Sequence, residues 1–435
     1  MGWQSSSGPP TQLNINGRLI TKAALFASEM NRFFVNKVRM IRAAISHTPN
    51  TFSICKNIME NKQCKLSLQH VSVSKVNRLL KNLKISKSTG IDQIDNCCVK
   101  VAADVIAEPL HHIITLSIHQ QKFPTCWKNS KVIPLHKKES KLETKNYRPV
   151  SILSPFSKIL EKIIYEQIYQ YFTRNRIFHP NLHGYRHHRS TQTALISMYD
   201  WWVNAAAQGK VSGVVLLDLS AAFDLVEPNL LLQKLEIYGV DKDLLNWIES
   251  YLTGRKQAVW IDHVLSDFVS TDVGVPQGSN LGPLFFLIFF NDLPDTVESN
   301  VDNFADDTTL TEAARSVEET GRNLTRSCKA VSTWMISNRL KLNPEKTHIM
   351  TIGTKERLSI IPHTVKVIMD DVQLEEDQGG SELLLGCQVQ TDMKWQSQIE
   401  TLMKKLRMRL TGILNIKFIL PFKLRKTIRE CSIVF

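Results

Sequence analysis

The sequence lacks several features that would assign it to a class at once. Its eight cysteines include no C-x-x-C pair, and neither an n-region nor an h-region of a secretory leader stands at the start. A disulfide framework is therefore disfavoured, and a reduced intracellular setting is expected. The longest apolar run, residues 283–290, is far too short to cross a bilayer, so no membrane partner is expected.

Acidic residues are scarce relative to basic ones. Lys and Arg number 54 against 41 Asp and Glu, which gives a formal net charge of +13. Residues 122–148 hold eight basic and two acidic side chains, and residues 401–429 hold nine basic and no acidic ones. Charge focused in this way favours a nucleic-acid partner over a uniformly solvated surface or an anionic membrane.

The pattern of apolar residues predicts helices first and a mixed centre afterwards. "KAALFASEMNRFFVNKVRMI" has the helical period, with an apolar stripe at Leu25, Met30, Phe33, Phe34 and Val38. Further on, "GVVLLDL", "QAVWID" and "THIMTIG" indicate strands, "GPLFFLIFFNDL" a buried helix and "NFADDTTL" a hairpin. Strands mixed with helices, without regular βαβ repeats, predict an α+β fold whose sheet carries helices on one face.

Three carboxylates stand out in this centre. Asp306 and Asp307 are adjacent in the predicted hairpin, where a solvated turn is the commoner explanation and a divalent cation the alternative. Asp218 ends an apolar strand, where a helix N-cap is the alternative. Together the three could surround one point and hold Mg²⁺, which binds a few carboxylates together with substrate phosphates. Two such ions about 3.5–4 Å apart promote phosphoryl transfer.

An ordered set of motifs resembles the reverse transcriptases of non-LTR (LINE-type, jockey-like) retrotransposons over roughly residues 25 to 415. In chain order these are "WKNSKVIPLHKK", "NYRPVSILSPFSKILEKII", "LHGYRHHRSTQTAL", "VVLLDLSAAFDLV", "GVPQGSNLGPLFFLIFFNDLP", "NFADDTTL", "NRLKLNPEKTHIMTIG" and "LLGCQVQTDMKW". Each is weak alone, whereas the ordered set is specific.

The resemblance implies a right-hand polymerase architecture with fingers, a palm built on an antiparallel sheet with helices, and a partial helical thumb. The implied segments are a flexible lead-in at 1–24, a helical N-terminal extension at 25–120, fingers at 121–212, palm at 213–392 and partial thumb at 393–435. The chain would thus stop inside the thumb at "ECSIVF", as a fragment or a decayed element copy does.

The resemblance also implies a metal site. Asp218 and Asp306 would be the principal ligands and Asp307 a third carboxylate, while Leu219 would lend a backbone carbonyl. The expected cofactor is a pair of Mg²⁺ ions, with Mn²⁺ as an alternative ion.

Nucleotide-binding residues follow from the same motifs. Arg148, with either Lys137 or Lys138, would meet the incoming triphosphate, since charge-assisted contacts suit phosphate. Gln277 and Gly278 would line the pocket for nucleotide and template, where glycine allows close backbone approach. A solvated basic loop and a bare turn are the alternatives for these two groups.

Two further residues would act on the reaction itself. Lys346 would protonate the pyrophosphate leaving group, with an exposed lysine at a helix end as the alternative. Phe223 occupies the sugar-gate position, where a ring against the 2′ carbon excludes ribose; plain core packing is the alternative.

The implied activity is RNA-directed DNA polymerisation from dNTPs on an RNA template and a DNA primer. An RNA-dependent RNA polymerase is a rival that Phe223 disfavours. A catalytically silent, retroelement-derived nucleic-acid-binding protein is the rival from a different class, because a basic surface persists when the carboxylates are idle.

Overall fold

The computed structural model describes residues 12–15, 18–46, 48–85, 89–137, 139–343, 346–376 and 380–416. Over these residues the predicted mixture of helices and strands is confirmed. The α-helices are α1 Ala23–Ala43, α2 Ser53–Met59, α3 Val73–Lys81, α4 Asn96–Val101, α5 Ala103–His119, α6 Pro155–Arg174, α7 Thr191–Ala207, α8 Ala222–Leu225, α9 Pro228–Ile237, α10 Lys242–Leu252, α11 Leu281–Phe289, α12 Val317–Ser337, α13 Lys355–Ile360 and α14 Gln396–Ile416.

The strands form two larger sheets and several hairpins. They are β1 Leu13–Ile15, β2 Arg18–Ile20, β3 Asn129–His136, β4 Tyr147–Ile152, β5 Val211–Leu217, β6 Arg255–Ile261, β7 Val264–Leu265, β8 Val269–Thr271, β9 Asn300–Phe304, β10 Asp307–Ala314, β11 His348–Ile352, β12 Ile368–Met369, β13 Val372–Gln373, β14 Glu375–Glu376, β15 Ser381–Leu384 and β16 Cys387–Gln390.

The central sheet has the strand order β14-β11-β5-β10-β9, and every pair except β11–β14 is antiparallel. We expected helices on one face of this sheet, and that was wrong. Val214 shares a buried cluster with Trp202 of α7, whereas its neighbour Val215 shares one with Leu324 of α12. Successive strand residues point to opposite faces, so helices cover both. The reason is that β5 is apolar on both sides, as doubly covered strands are.

The second sheet pairs β4, β3, β6 and β7 in that order, with β8 also on β6. Its strands β3 and β6 run parallel, with Asn129 opposite Lys256. Strands β6–β8 therefore lie with β3 and β4, although the predicted boundaries put them in the palm segment. Helix α1 packs on β6, β7 and β8.

The apolar stripe of α1 differs in phase from the predicted one. Met30 and Phe34 are buried as expected, but Leu25 is 54% exposed and Phe26 is buried in its place. Phe26 packs in one cluster with Leu13, because β1 and β2 form a hairpin within the segment expected to be a flexible lead-in. The first eleven residues of that lead-in lie outside the described residues.

Helix α11 is the most apolar element, and it fixes the loop that precedes it. All of its residues except Pro283 are buried, as expected for a helix that is apolar all round. It packs against α6 and α9 and so holds residues 276–280 at the surface of the core. No helix in the described part of the chain is long and apolar enough to cross a membrane.

A candidate metal and nucleotide site at the end of the central sheet

The three predicted carboxylates meet at one end of the central sheet. Strands β5 and β10 are paired as far as Leu217 and Thr308, and the same register, continued by one residue, sets Asp218 opposite Asp307. The β9–β10 hairpin turns through Ala305 and Asp306, so Asp306 lies in the turn and Asp307 begins β10. Sequence reasoning placed both aspartates at the hairpin, and the structure brings Asp218 to them.

The backbone around Asp218 is held by the loop before β11. Its carbonyl accepts from the backbone N–H of Asn343 at 3.0 Å, and its own N–H donates to Oγ1 of Thr347 at 3.3 Å. Leu219 continues the pairing through a bridge to Leu342. The N-cap alternative for Asp218 is wrong, because Ala221 occupies the N-cap position of the next helix, α8.

The three carboxylates repel one another without a close cationic partner. Partial burial, and after it the charges of Asp306 and Asp218, raise the pKa of Asp307 to about 6, while Arg148 opposes the shift. Among the described residues, no side chain forms an ion pair or hydrogen bond with these three carboxylates. Clustered, unpaired negative charge is what a bound cation compensates.

The carboxylates do not form a finished metal cage. No group of three or more His, Cys, Asp or Glu side chains in the described residues is arranged to hold an ion by itself. Mg²⁺ does not require a cage made by protein alone, because it is usually bound through one or two carboxylates, waters and substrate phosphates. The donor set of hard carboxylate oxygens is suited to that ion.

A cleft of about 360 Å³ lies beside the carboxylates, between the two sheets. Asp306 and Leu219 line it from the central sheet, and Lys137 and Arg148 line it from the second sheet. Partial burial lowers the pKa of Lys137, and the charges of Arg148 and Lys346 lower it further, whereas Asp218 opposes them. A basic wall therefore faces the acidic one across the cleft.

Three of the predicted basic residues act on one another near Asp218. Lys137, Arg148 and Lys346 are brought together beside Asp218, while Lys138 lies outside the described residues. Lys37 of α1 also lines the cleft and acts on Lys137, and sequence reasoning missed it. Its position in an amphipathic helix, 181 residues before Asp218, gives no local signal of this role.

The turn at Gln277 and Gly278 forms the floor of the cleft. The Gln277 carbonyl accepts from the backbone N–H of Ser151 at 2.8 Å, which ties the turn to β4. Gly278 has φ of 106°, and a Cβ there would lie 2.3 Å from the Ser151 carbonyl oxygen, so only glycine fits. Nε2 of Gln277 donates to Oδ1 of Asp224 at 2.8 Å. Burial raises the pKa of Asp224 to about 6.

Phe223 takes part in both core packing and the cleft wall. Its ring is stacked on Phe286 with centroids 4.2 Å apart, and it is half-buried and lines the cleft. The ring of Tyr185 meets it edge-on at 5.9 Å. Burial and the charges of Asp306 and Asp307 raise the pKa of Tyr185 to about 12. Tyr185 lies in the motif "LHGYRHHRSTQTAL", for which sequence reasoning predicted no site residue.

Comparison with known proteins supplies the family. Residues 135–402 match the family described as "Reverse transcriptase (RNA-dependent DNA polymerase)". The chain belongs to this reverse transcriptase family. The match covers more than half of the chain and includes every residue predicted here for the site.

Several curated relatives are similar to most of the reverse transcriptase chain. It is 29% identical over 72% of its length to the probable RNA-directed DNA polymerase from transposon BS of Drosophila melanogaster. It is 25% identical over 75% of its length to the RNA-directed DNA polymerase from mobile element jockey of the same fly. The matched regions are 35% and 37% of those relatives, so the chain spans about a third of their length. The resemblance to jockey-like elements is confirmed.

Proposed function

We propose that the protein is an RNA-directed DNA polymerase of a non-LTR retroelement, which adds dNTPs to a primer 3′ end by two-metal phosphoryl transfer. The observation that carries this proposal is a cleft lined by Asp306 on one wall and by Lys137 and Arg148 on the other, with Asp218 and Asp307 beside Asp306 at the end of the central sheet. Metal ions would lie against the carboxylates, and the triphosphate that they bind would lie against the basic residues.

The proposed architecture is the right hand of polymerases. The central sheet with α7, α11 and α12 would be the palm, and the second sheet with α1 would belong to the fingers. Strands β6–β8 pair with β3, so they would extend the fingers although they follow the first palm strand in sequence. Helix α14 would begin the thumb.

Asp218 and Asp306, with Asp307 and the Leu219 carbonyl, would hold the two Mg²⁺ ions. When bound, such ions polarise the attacking 3′ oxygen and stabilise the leaving oxygen of the displacement. Lys137 and Arg148 orient the phosphates by charge-assisted hydrogen bonds and neutralise part of their charge. Lys346, whose charge reaches Lys137, would donate a proton to the departing pyrophosphate.

Phe223 supports DNA as the product. Its ring is fixed from one side by Phe286 and from another by Tyr185, so it cannot swing away from the cleft without breaking both contacts. A fixed ring beside the sugar excludes a 2′-hydroxyl by a steric clash, which is how specificity is set by repulsion.

Primer extension tests the proposal and its rivals together. The chain is offered a DNA primer on an RNA or DNA template, with Mg²⁺ and either dNTPs or rNTPs. Extension with dNTPs on RNA is the expected result. Extension with rNTPs alone would favour the RNA polymerase, and primer–template binding without any extension would favour the silent binding protein.

A further inference from the structure

A segment outside the predicted site lies directly behind the hairpin of carboxylates. The backbone N–H of Asn303 in β9 donates to the Asn181 carbonyl at 3.0 Å, and the N–H of His183 donates to the Asn303 carbonyl at 2.8 Å. Leu182 and Asn303 form a parallel bridge. Residues 181–183 thus extend the central sheet by a short stretch beside its edge strand β9.

A buried hydrogen bond between two side chains holds this stretch to β9. Nε2 of His183 lies 3.2 Å from Oδ1 of Asp302, and both side chains are 1% exposed. Nη1 of Arg189 lies 3.3 Å from Nδ1 of His183. Arginine can only donate, so Nδ1 accepts and Nε2 carries the proton that is given to Asp302. The second oxygen of Asp302 accepts from Nδ2 of Asn300 at 2.6 Å, which satisfies the carboxylate.

Gly184, which follows His183, contacts the turn that carries Asp306. A Cβ on Gly184 would lie 2.4 Å from the backbone nitrogen of Ala305 and 3.1 Å from its Cα. Ala305 has φ of 62°, a left-handed conformation that a non-glycine residue keeps only when its surroundings impose it. The two-residue turn between β9 and β10 requires that conformation, and the backbone of Gly184 lies in contact with it.

The following residue, Tyr185, reaches the other half of the site. Its ring meets Phe223 edge-on, and burial together with the charges of Asp306 and Asp307 raises the pKa of its hydroxyl. One stretch of five residues, 181–185, therefore contacts both the carboxylate turn and the ring proposed as the sugar gate. We call residues 181–185 the brace.

We propose that His183 and Asp302 are positioning residues, which lock the brace onto β9 and thereby fix the turn that carries Asp306. The inference rests on the proposed polymerase function, since it concerns the geometry of that site. Neither residue touches the cleft, so they act through Gly184 and Ala305. A shift of the turn displaces Asp306 relative to Asp218, which sits on a different strand, and the metal positions change with it.

Three variants test the brace. His183→Ala and Asp302→Ala break the buried pair from either side, and Gly184→Ala leaves the pair intact but adds the Cβ that collides with Ala305. The matched control is Asp295→Asn, which removes the partner of His179 at 3.6 Å in the same stretch of chain, away from the turn.

Amide hydrogen exchange at residues 303–307 measures how firmly the brace holds the turn, and it does not depend on enzymatic activity. All three test variants should exchange faster there than the wild type, and the increase should be larger at residues 303–307 than in the rest of the chain. Unchanged exchange in Gly184→Ala and in the pair variants overturns the inference. A wild type that fails to extend a primer, with exchange responding as expected, overturns the proposed function and leaves the brace standing.

Steady-state kinetics then separate positioning from plain stability. A misplacement of about 1 Å in a reacting geometry costs roughly 10²-fold in rate, so kcat of the test variants should fall by that order while KM for dNTP changes little. The Mg²⁺ concentration for half-maximal rate should rise, and the control should match the wild type in both. Loss of kcat only in proportion to the unfolded fraction, with unchanged Mg²⁺ dependence, would also overturn the inference.

Discussion

Two regions of this reverse transcriptase treat their aspartates in opposite ways: Asp292 is buried in the core, whereas Asp306 and Asp307 are exposed at the end of the central sheet. In the core, Nζ of Lys234 donates to Oδ1 of Asp292 at 2.6 Å and to the Phe289 carbonyl at 2.7 Å, and Nε1 of Trp334 donates to the other Asp292 oxygen at 3.2 Å. At the end of the central sheet, Asp307 and its two neighbours have no such partner among the described residues.

The Lys234–Asp292 pair stabilises the fold, whereas the three carboxylates at the end of the central sheet are available to bind a cation. A buried pair with every hydrogen bond made is self-sufficient, and removing one member leaves the other uncompensated. Unpaired carboxylates at a cleft instead destabilise the folded chain slightly and gain from a cation. Stability and activity should therefore respond in opposite ways to substitutions in the two regions.

The largest effect is expected from a substitution of one of the unpaired carboxylates. Asp306→Asn should lower the rate of primer extension on the order of 10³-fold or more, because a lost metal ligand removes several kcal/mol of transition-state stabilisation. Its free energy of unfolding should not fall, since one repulsive charge disappears. Single-turnover extension and denaturant titration of the same samples measure the two quantities.

Lys234→Met is the matched substitution in the core. It leaves Asp292 buried without its cation and should cost about 3–5 kcal/mol in the free energy of unfolding. The fraction that stays folded should extend primers at the wild-type rate per active site. An Asp306→Asn protein that is as destabilised as Lys234→Met would erase the distinction between the two regions.

The next effect concerns the sugar. Phe223→Val should raise the use of rNTP relative to dNTP by roughly two orders of magnitude, since relief of a clash of a few kcal/mol acts at about 1.4 kcal/mol per tenfold. Its control is Phe285→Leu, which alters a fully buried ring of the same helix that packs against Tyr251 and should lower stability with little change in the ratio. Single-nucleotide incorporation with both substrates decides, and equal ratios in the two variants would leave Phe223 as core packing only.

A smaller effect is visible in the metal-free protein. The pKa of Asp307 is raised to about 6 in the folded chain, above its ordinary value, so the folded state binds the proton more tightly than the unfolded state. Stability should therefore fall as pH rises through about 4 to 6. Thermal midpoints in EDTA measure this, and Asp307→Asn should flatten the fall.

Asp224, whose pKa is also raised to about 6, should produce the slope that remains in Asp307→Asn. Added Mg²⁺ should raise the thermal midpoint of the wild type at pH 7 more than that of the variant, because a ligand stabilises the state that binds it. Parallel curves of thermal midpoint against pH for the wild type and Asp307→Asn in EDTA would show that the pKa of Asp307 is not raised in the folded chain.

The smallest effect belongs to α14, whose Lys404, Lys405, Arg407 and Arg409 are exposed. Replacing Lys404 and Lys405 by Gln should reduce the salt dependence of primer–template binding by roughly 0.7–0.9 in log–log slope for each phosphate that is no longer neutralised. Substitution is preferable to deletion, because Gln398 of α14 accepts from the backbone of Gln388 in β16.

The control for α14 is the same pair of changes at Lys56 and Lys100, which are exposed and lie outside both basic regions. Binding at several salt concentrations by fluorescence anisotropy gives the two slopes. Equal slopes for both double variants would remove α14 from the nucleic-acid interface. The other predicted basic residues of this region, from Lys417 onward, lie outside the described residues.

Local sequence was sufficient for the carboxylates and not for what surrounds them. Asp218 could be predicted because an apolar strand must end before a charge, and the hairpin at Asp306 because β-favouring sequence resumes directly after it. Residue type and spacing carry this information within a few positions.

Tyr185 and Lys37 could not be predicted in the same way, because tertiary packing brings each of them to the cleft. The phase of α1 failed for the same reason: Asn31 donates to Ser266 at 3.0 Å and to the Asp267 carbonyl at 2.9 Å, which turns Phe26 rather than Leu25 toward the second sheet. The burial of a polar side chain by partners far along the chain cannot be recognised from the pattern of apolar residues.

The central claim is that the three carboxylates are unpaired because they hold metal ions with the incoming triphosphate. Binding of Mn²⁺, followed by the electron paramagnetic resonance signal of the free ion at a fixed concentration of a non-hydrolysable dNTP analogue, tests it most directly. Wild type and the Asp295→Asn control should bind the ion equally, and Asp218→Asn and Asp306→Asn should bind it at least about tenfold more weakly, equivalent to about 1.4 kcal/mol. Equal Mn²⁺ affinity in all four proteins would contradict the account.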